Sequence, residues 1–159
     1  MKTGMLLGVA CAAIAVSTMS LPSSAKDDAD ACALLTTAQV SAAVRFPVAE
    51  GKHVTPTFLK TCTWTGSNST GAQFVTLNLQ TGTFFDGAKK QAILMAAAGG
   101  TMKPAGVGQD SYYFVEGTQV ALWVKKGGGS FKIAVYKQIP VDQKEEMELT
   151  LAKDVVPKL

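Results

Sequence analysis

Histidine and charged side chains are scarce in this chain of 159 residues, and each scarcity excludes a class of protein. His53 is the single histidine, and its sequence neighbours offer few partners, so a zinc hydrolase or a histidine-based triad is disfavoured. A net charge of +3 with 17% charged residues is a weaker basic excess than nucleic-acid binders usually carry. The 47% hydrophobic content, by contrast, is typical of one folded domain. We therefore predict no nucleic-acid partner.

Reactive motifs are equally sparse. No Gly-x-Ser-x-Gly elbow occurs, and Ser-x-x-Lys is absent after residue 25. The carboxylates are dispersed, except for Glu145, Glu146 and Glu148, which the pattern places on a solvated helix face. Gly106 to Asp110 lacks the third glycine and the following helix of a dinucleotide site. The sequence therefore predicts no catalytic residue, no metal site, no cofactor and no enzyme activity.

The first twenty-five residues have the pattern of a secretory signal peptide. Lys2 precedes an apolar run from Met5 to Val16, which is short for a membrane-spanning helix. Ser23-Ser24-Ala25 then offers small residues to a signal peptidase before a charged segment. We predict cleavage after Ala25, which leaves a single domain over residues 26–159 with no transmembrane segment.

Two alternatives to cleavage are less favoured. An uncleaved anchor conflicts with the short apolar run and with Pro22, which follows it. Lipidation at Cys11 conflicts with Gly8, which stands where a leucine-like residue is expected. The predicted location is the bacterial periplasm or the outside of the cell.

Removal of the signal peptide changes the cysteine count from three to two. Two cysteines in an exported domain, Cys32 and Cys62, predict one disulfide. A redox pair is the alternative, but redox dithiols favour Cys-x-x-Cys spacing. We expect a structural disulfide.

Helices and groups of strands alternate along the rest of the chain. Thr36 and Gln39 form a capping box for a short helix that ends before Pro47. Period-two runs predict strands at Lys60–Thr65, Gln73–Leu79, Ser111–Val115, Thr118–Val124 and Phe131–Tyr136, and other patterns predict helices from about Thr83 to Ala98 and from Pro140 to Pro157. The order α-β-β(-β)-α-β-β-β-α predicts an α+β fold, an antiparallel sheet with helices packed on one face.

Aromatic residues crowd the second group of strands. If Tyr113, Trp123 and Tyr136 share the uncovered face of the sheet, they form a candidate contact for a ligand or partner. Lys125 and Lys126 stand beside a glycine-rich hairpin turn that offers a second candidate contact. Asn68-Ser69-Thr70 also matches a glycosylation acceptor, which has meaning only in a eukaryotic secretory pathway.

Four segments resemble small exported bacterial envelope proteins and lipoproteins of unknown function. They are Cys32 to Thr36, Cys62-Thr63-Trp64, Gly106 to Phe114 and Leu122 to Gly127. In that family a Cys-x-Leu-Leu-Thr helix start precedes a Cys-Thr-Trp or Cys-Thr-Tyr strand and a Gly-x-Gly-Asp segment. The resemblance implies an exported, disulfide-bonded α/β sandwich and supplies no catalytic residues.

The chain departs from that family pattern at two places. Gln109 intervenes between Gly108 and Asp110, and Val44-Arg45-Phe46 replaces the Leu-Gly usual after the first helix. Neither departure touches the two cysteines.

These observations favour a non-catalytic exported binding module for an unknown protein or small molecule of the envelope. A secreted enzyme inhibitor acting through the hairpin from Lys125 to Ser130 is the first alternative. A hydrolase built from dispersed carboxylates and hydroxyls is a weaker one. The oligomeric state has no signature in the sequence.

Overall fold

A computed structural model describes residues 29–67 and 73–159. The predicted signal peptide with Cys11, and the acceptor Asn68-Ser69-Thr70, lie outside the described residues. None of the helices in the described parts combines the length and the apolar character needed to cross a membrane.

Within residues 29–67 and 73–159 the domain contains seven strands and three α-helices. The strands are β1 (Lys52–His53), β2 (Thr61–Thr65), β3 (Phe74–Thr81), β4 (Thr101–Pro104), β5 (Asp110–Glu116), β6 (Gln119–Lys126) and β7 (Gly129–Tyr136), and the helices are α1 (Thr37–Val44), α2 (Gly82–Ala97) and α3 (Val141–Val155). Short 3-10 turns at Ala31–Ala33 and Val156–Lys158 precede α1 and follow α3. All pairings are antiparallel, in the order β1-β2-β3-β7-β6-β5-β4. The α+β class is confirmed.

The second group has four strands where the sequence predicted three. The additional strand, β4, pairs with β5 at the edge of the sheet and ends at Pro104. Proline cannot donate to a ladder, so an edge strand is one of the few places that accept it. This short segment with its proline lacks the period-two signal of the longer strands.

The main core lies on one face of the sheet, which we call the first face. There α3 packs on β6 and β7, and α1 packs against α3. The fully buried side chains on this face include Trp64, Leu77, Leu122, Ile133 and Leu151. Because burial of each such side chain contributes roughly 1.5 to 3 kcal/mol, this face supplies most of the stability.

The predicted capping box of α1 is confirmed. The Gln39 backbone N–H donates to Thr36 Oγ1 at 3.2 Å, and the Thr36 N–H donates to Gln39 Oε1 at 3.0 Å. At the other end Arg45 adopts the left-handed conformation, with φ of 58°. Glycine adopts that conformation more readily than a residue with a side chain does.

The expectation that all helices pack on one face is wrong. Phe85 and Ala92 of α2 pack with Tyr112 in a separate cluster on the opposite face, which we call the second face. The reason lies in β5, where Tyr112 and Phe114 point to one side and Tyr113 to the other. Since both sides of β5 carry large apolar groups, both need cover.

The predicted disulfide is present in the structure. It joins Cys32 in the first 3-10 turn to Cys62 in β2, with 5.0 Å between the Cα atoms and a sequence separation of 30. Gly51 lies against it, since a Cβ at that position would stand 2.7 Å from Cys62 Sγ. The disulfide therefore fixes the segment before α1 to the sheet.

Candidate functional site

The three aromatic residues predicted to share one surface do not meet. Tyr113 is 7% exposed on the first face, and its hydroxyl donates to the Glu145 backbone oxygen at 3.0 Å. Burial, followed by the charges of Glu148 and Glu145, raises the pKa of Tyr113 to about 12. Tyr113 is therefore a core residue, because its neighbour Tyr112 takes the second face.

Tyr136 lies on the second face but away from α2. Its ring stacks on that of Phe74 with 4.2 Å between centroids, across the β3–β7 pair. Tyr136 is half-buried by this stacking, and it lies on a part of the second face that α2 does not cover.

Trp123 is the predicted aromatic residue that the structure places in a cleft. Its ring is stacked with Tyr112 at 6.1 Å and with Phe84 at 6.3 Å. Lys132 Nζ lies 5.3 Å from the centroid of the same ring, within the range of a cation–π contact. The indole thus joins α2 to a basic side chain on β7.

The cleft beside Trp123 lies between α2 and the second face, and we call it the α2 groove. Its volume is about 490 Å³, within the range of small-molecule sites. It is lined by Phe84, Gly87, Ala88, Gln91, Ala92 and Met95 on α2 and by Tyr112, Phe114 and Trp123 on the sheet. The helical members recur at spacings of three and four residues, so they share one face of α2. Gln91 is the polar member of the set.

The helix above the groove is weakly packed. Its buried residues are Gly82, Phe85 and Ala92, while Phe84 is 53% exposed and Leu94 66% exposed. Of these two exposed residues Phe84 lines the groove, and an exposed aromatic side chain beside an apolar cleft is typical of a ligand site. The small residues on the groove side keep the space between helix and sheet open, since a Cβ at Gly87 would meet no atom within 4 Å.

Two ion pairs hold α2 over the sheet. Lys125 Nζ donates to both Asp86 oxygens at 2.8 Å, and Lys89 Nζ donates to both Asp110 oxygens at 2.8 and 2.6 Å. Lys125, predicted as a mobile hairpin contact, is therefore engaged with α2. Lys126, the other predicted contact, ends β6 at the hairpin turn.

Tyr112 forms the floor of the groove and carries a buried hydroxyl. The residue is 1% exposed, and its hydroxyl has no hydrogen-bond partner among the described residues. Burial, reinforced by the charge of Asp110, raises the pKa of Tyr112 to about 12. The phenol therefore stays protonated and neutral at physiological pH.

His53 has partners that its sequence neighbours did not indicate. Its Nε2 lies 3.2 Å from Asp30 Oδ1, and its Nδ1 lies 3.2 Å from the Thr61 oxygen and 3.6 Å from Cys32 Sγ. Ligand atoms of Asp30, Cys32 and His53 all fall within 4.8 Å of one another. Because Cys32 is bonded to Cys62, it offers no thiolate to a metal. The cluster lies directly beside the disulfide. Its contacts join residues far apart in the chain, so the spacing of residues in the sequence did not predict them.

A second polar group that sequence reasoning missed is Glu148 on α3. It was assigned to a solvated face, yet it is 0% exposed and its Oε1 accepts the Val135 N–H at 2.9 Å. Lys144, one turn earlier, is 2% exposed and donates to the Thr118 oxygen. Of the carboxylates assigned to that face, Glu146 is the exposed one, in an ion pair with Arg45.

Comparison with protein families, curated proteins and solved structures found no match to this chain. The resemblance to exported envelope proteins therefore stays a prediction, and the argument for function rests on the α2 groove.

Proposed function

We propose that this chain is a non-catalytic, exported binding protein that holds a small apolar ligand in the α2 groove. The observation that carries the proposal is an open, apolar cleft with an aromatic floor of Tyr112, Phe114 and Trp123 beneath a weakly packed helix. Burial of an apolar ligand against such walls is favourable by roughly 25 cal/mol per Å² removed from water.

The other side of α2 is a poorer candidate. A second cleft there, of about 350 Å³, is lined partly by Lys89, Lys103 and Asp110. Lys89 and Asp110 already bind each other, and Lys103 binds Glu145. The charged groups of this cleft are thus already paired with one another or with Glu145.

The hairpin expected of an enzyme inhibitor is also less favoured as the contact. The Gly82 N–H donates to the Gly128 oxygen at 2.8 Å, and Lys125 is paired with Asp86. The turn is held against the start of α2, whereas inhibitory loops project from the body of the protein.

Export is supported by the disulfide. Disulfides persist in oxidising compartments and are rare in the cytosol. The predicted signal peptide agrees with that location, and N-terminal sequencing of the mature protein tests cleavage after Ala25.

The groove is tested with a neutral fluorescent apolar probe, N-phenyl-1-naphthylamine. Wild-type protein should enhance its fluorescence with saturation at one probe per chain. Gly87→Phe should abolish the saturable signal because the new ring occupies the open space beside Gly87.

Gly87→Ala is the matched control. It adds one methyl to the same position and should bind the probe with little change. Alanine also favours a helix over glycine by about 0.5 to 1 kcal/mol, so the control should not unfold. Equal probe binding by Gly87→Phe and Gly87→Ala would refute the proposed site.

A further inference from the structure

We propose that the ligand of the α2 groove is a single-chain anionic amphiphile of the fatty-acid type, whose carboxylate binds at Lys132. This inference rests on the proposed function and specifies the chemical class of its ligand. It follows from the position of one cation, the charge of the surface beyond it and the length of the groove.

Lys132 is not a lining residue of the groove but adjoins its Phe84 end through Trp123. It is directly opposite Trp123 in the β6–β7 register, and the Trp123 ring stacks with Phe84. In the described parts of the chain, no carboxylate forms an ion pair with Lys132. Its ammonium group lies 5.3 Å from the centroid of the Trp123 ring, which lines the groove, and it has donor capacity to spare.

The sheet surface beyond Lys132 is polar, and the described strand residues on it include no carboxylate. Strands β1, β2, β3 and β7 place threonines, Asn78, Gln80, Lys52 and Lys132 on the second face, together with the Phe74–Tyr136 pair. Ser130 on the same face is buried and donates to the Thr81 oxygen. Asn78 is directly opposite Lys132 in the register. Its amide already donates to Thr61 Oγ1, so the feature of this surface that complements an anion is the charge of Lys132.

The acids nearest to α2 are neutralised by their own partners. Asp86 is paired with Lys125 and Asp110 with Lys89, each through both carboxylate oxygens. Because these two carboxylates are paired, the charge of Lys132 is expected to decide the electrostatic preference at this end of the groove.

The dimensions of the groove fit one acyl chain. Phe84 and Met95 lie eleven residues apart on α2, which is about 16 Å at the helical rise and comparable with an extended chain of about a dozen carbons. The Met95 end adjoins Gly100, where a Cβ would stand 3.0 Å from the Phe114 ring. A ligand with its carboxylate at Lys132 and its acyl chain extending toward Met95 would span the full length of the α2 groove.

The test compares dodecanoate with the uncharged dodecan-1-ol, each displacing N-phenyl-1-naphthylamine from the wild-type protein below the critical micelle concentration. We expect dodecanoate to bind about fivefold more tightly, the scale of one partly exposed ion pair. The preference should fall as salt is raised, and Lys132→Gln should remove it while leaving dodecan-1-ol binding unchanged.

Lys126→Gln is the matched control, because Lys126 shares the side of Val124 on β6, which belongs to the first-face core, so its loss should keep the preference for dodecanoate. Equal binding of acid and alcohol by wild type would overturn the inference and leave the groove intact. A preference that survives in Lys132→Gln would also overturn it. Failure of the probe and of both amphiphiles to bind would instead overturn the proposed function.

Discussion

Glu148→Gln should abolish a large pH dependence of stability. In the folded protein, burial raises the pKa of Glu148 from 4.5 to about 9, opposed by the Val135 hydrogen bond and by Lys144. In the unfolded chain the carboxyl returns to its ordinary range. Between these two pKa values the folded state holds a proton that the unfolded state has released.

The sign and size of the effect follow from that difference. The contribution of the protonated carboxyl is fully present below about pH 4.5 and is lost as the pH rises toward 9. The loss is at most about 1.4 kcal/mol per pH unit, or about 3 kcal/mol between pH 6 and pH 8. Natural domains are stable by only about 5 to 15 kcal/mol, so the loss should be large enough to measure.

Urea unfolding from pH 5 to pH 9 measures this slope. Glu148→Gln stays neutral and retains an acceptor for the Val135 N–H, so its stability should be nearly flat over the range and should exceed that of wild type at pH 8. Glu146→Gln, an exposed change on the same helix with a side chain 61% exposed, should keep the wild-type slope. Parallel curves for wild type and Glu148→Gln would refute the reasoning.

Two further predictions concern stability. Replacing Cys32 and Cys62 together by serine should lower the free energy of unfolding by about 3.5 kcal/mol. The disulfide closes a loop of 30 residues in the unfolded chain, and its removal returns the entropy of that loop to the unfolded state. An unchanged urea midpoint would contradict this prediction. Tyr112→Phe should raise the free energy of unfolding by about 1 kcal/mol, since it removes a buried hydroxyl without a partner among the described residues, and a lower melting temperature would show that the hydroxyl is bonded.

Local patterns of the sequence predicted local structure well. The capping box of Thr36 and Gln39 and the strands from β2 to β7, apart from β4, follow from residue spacing and are found in the structure. The cysteine pair followed from composition and compartment. These features depend on few neighbours, which sequence spacing reveals directly.

Features that depend on packing between distant segments were missed. Residues 112 and 113 are both tyrosine, so the alternation of side chains along a strand did not indicate which of them faces the main core. The contacts of His53 with Asp30, and the buried position of Glu148 against β7, join segments far apart in the chain. The α2 groove arises from the placement of the helix on the second face, which no local pattern of the sequence indicates.

The most direct test of the central claim is the measurement of NOEs between bound N-phenyl-1-naphthylamine and assigned side chains of the protein. A ligand inside the α2 groove should show NOEs to the Met95 methyl group and the Trp123 indole ring. NOEs to Ile93 and Leu94 on the outer surface of α2, with none to Trp123, would contradict the account.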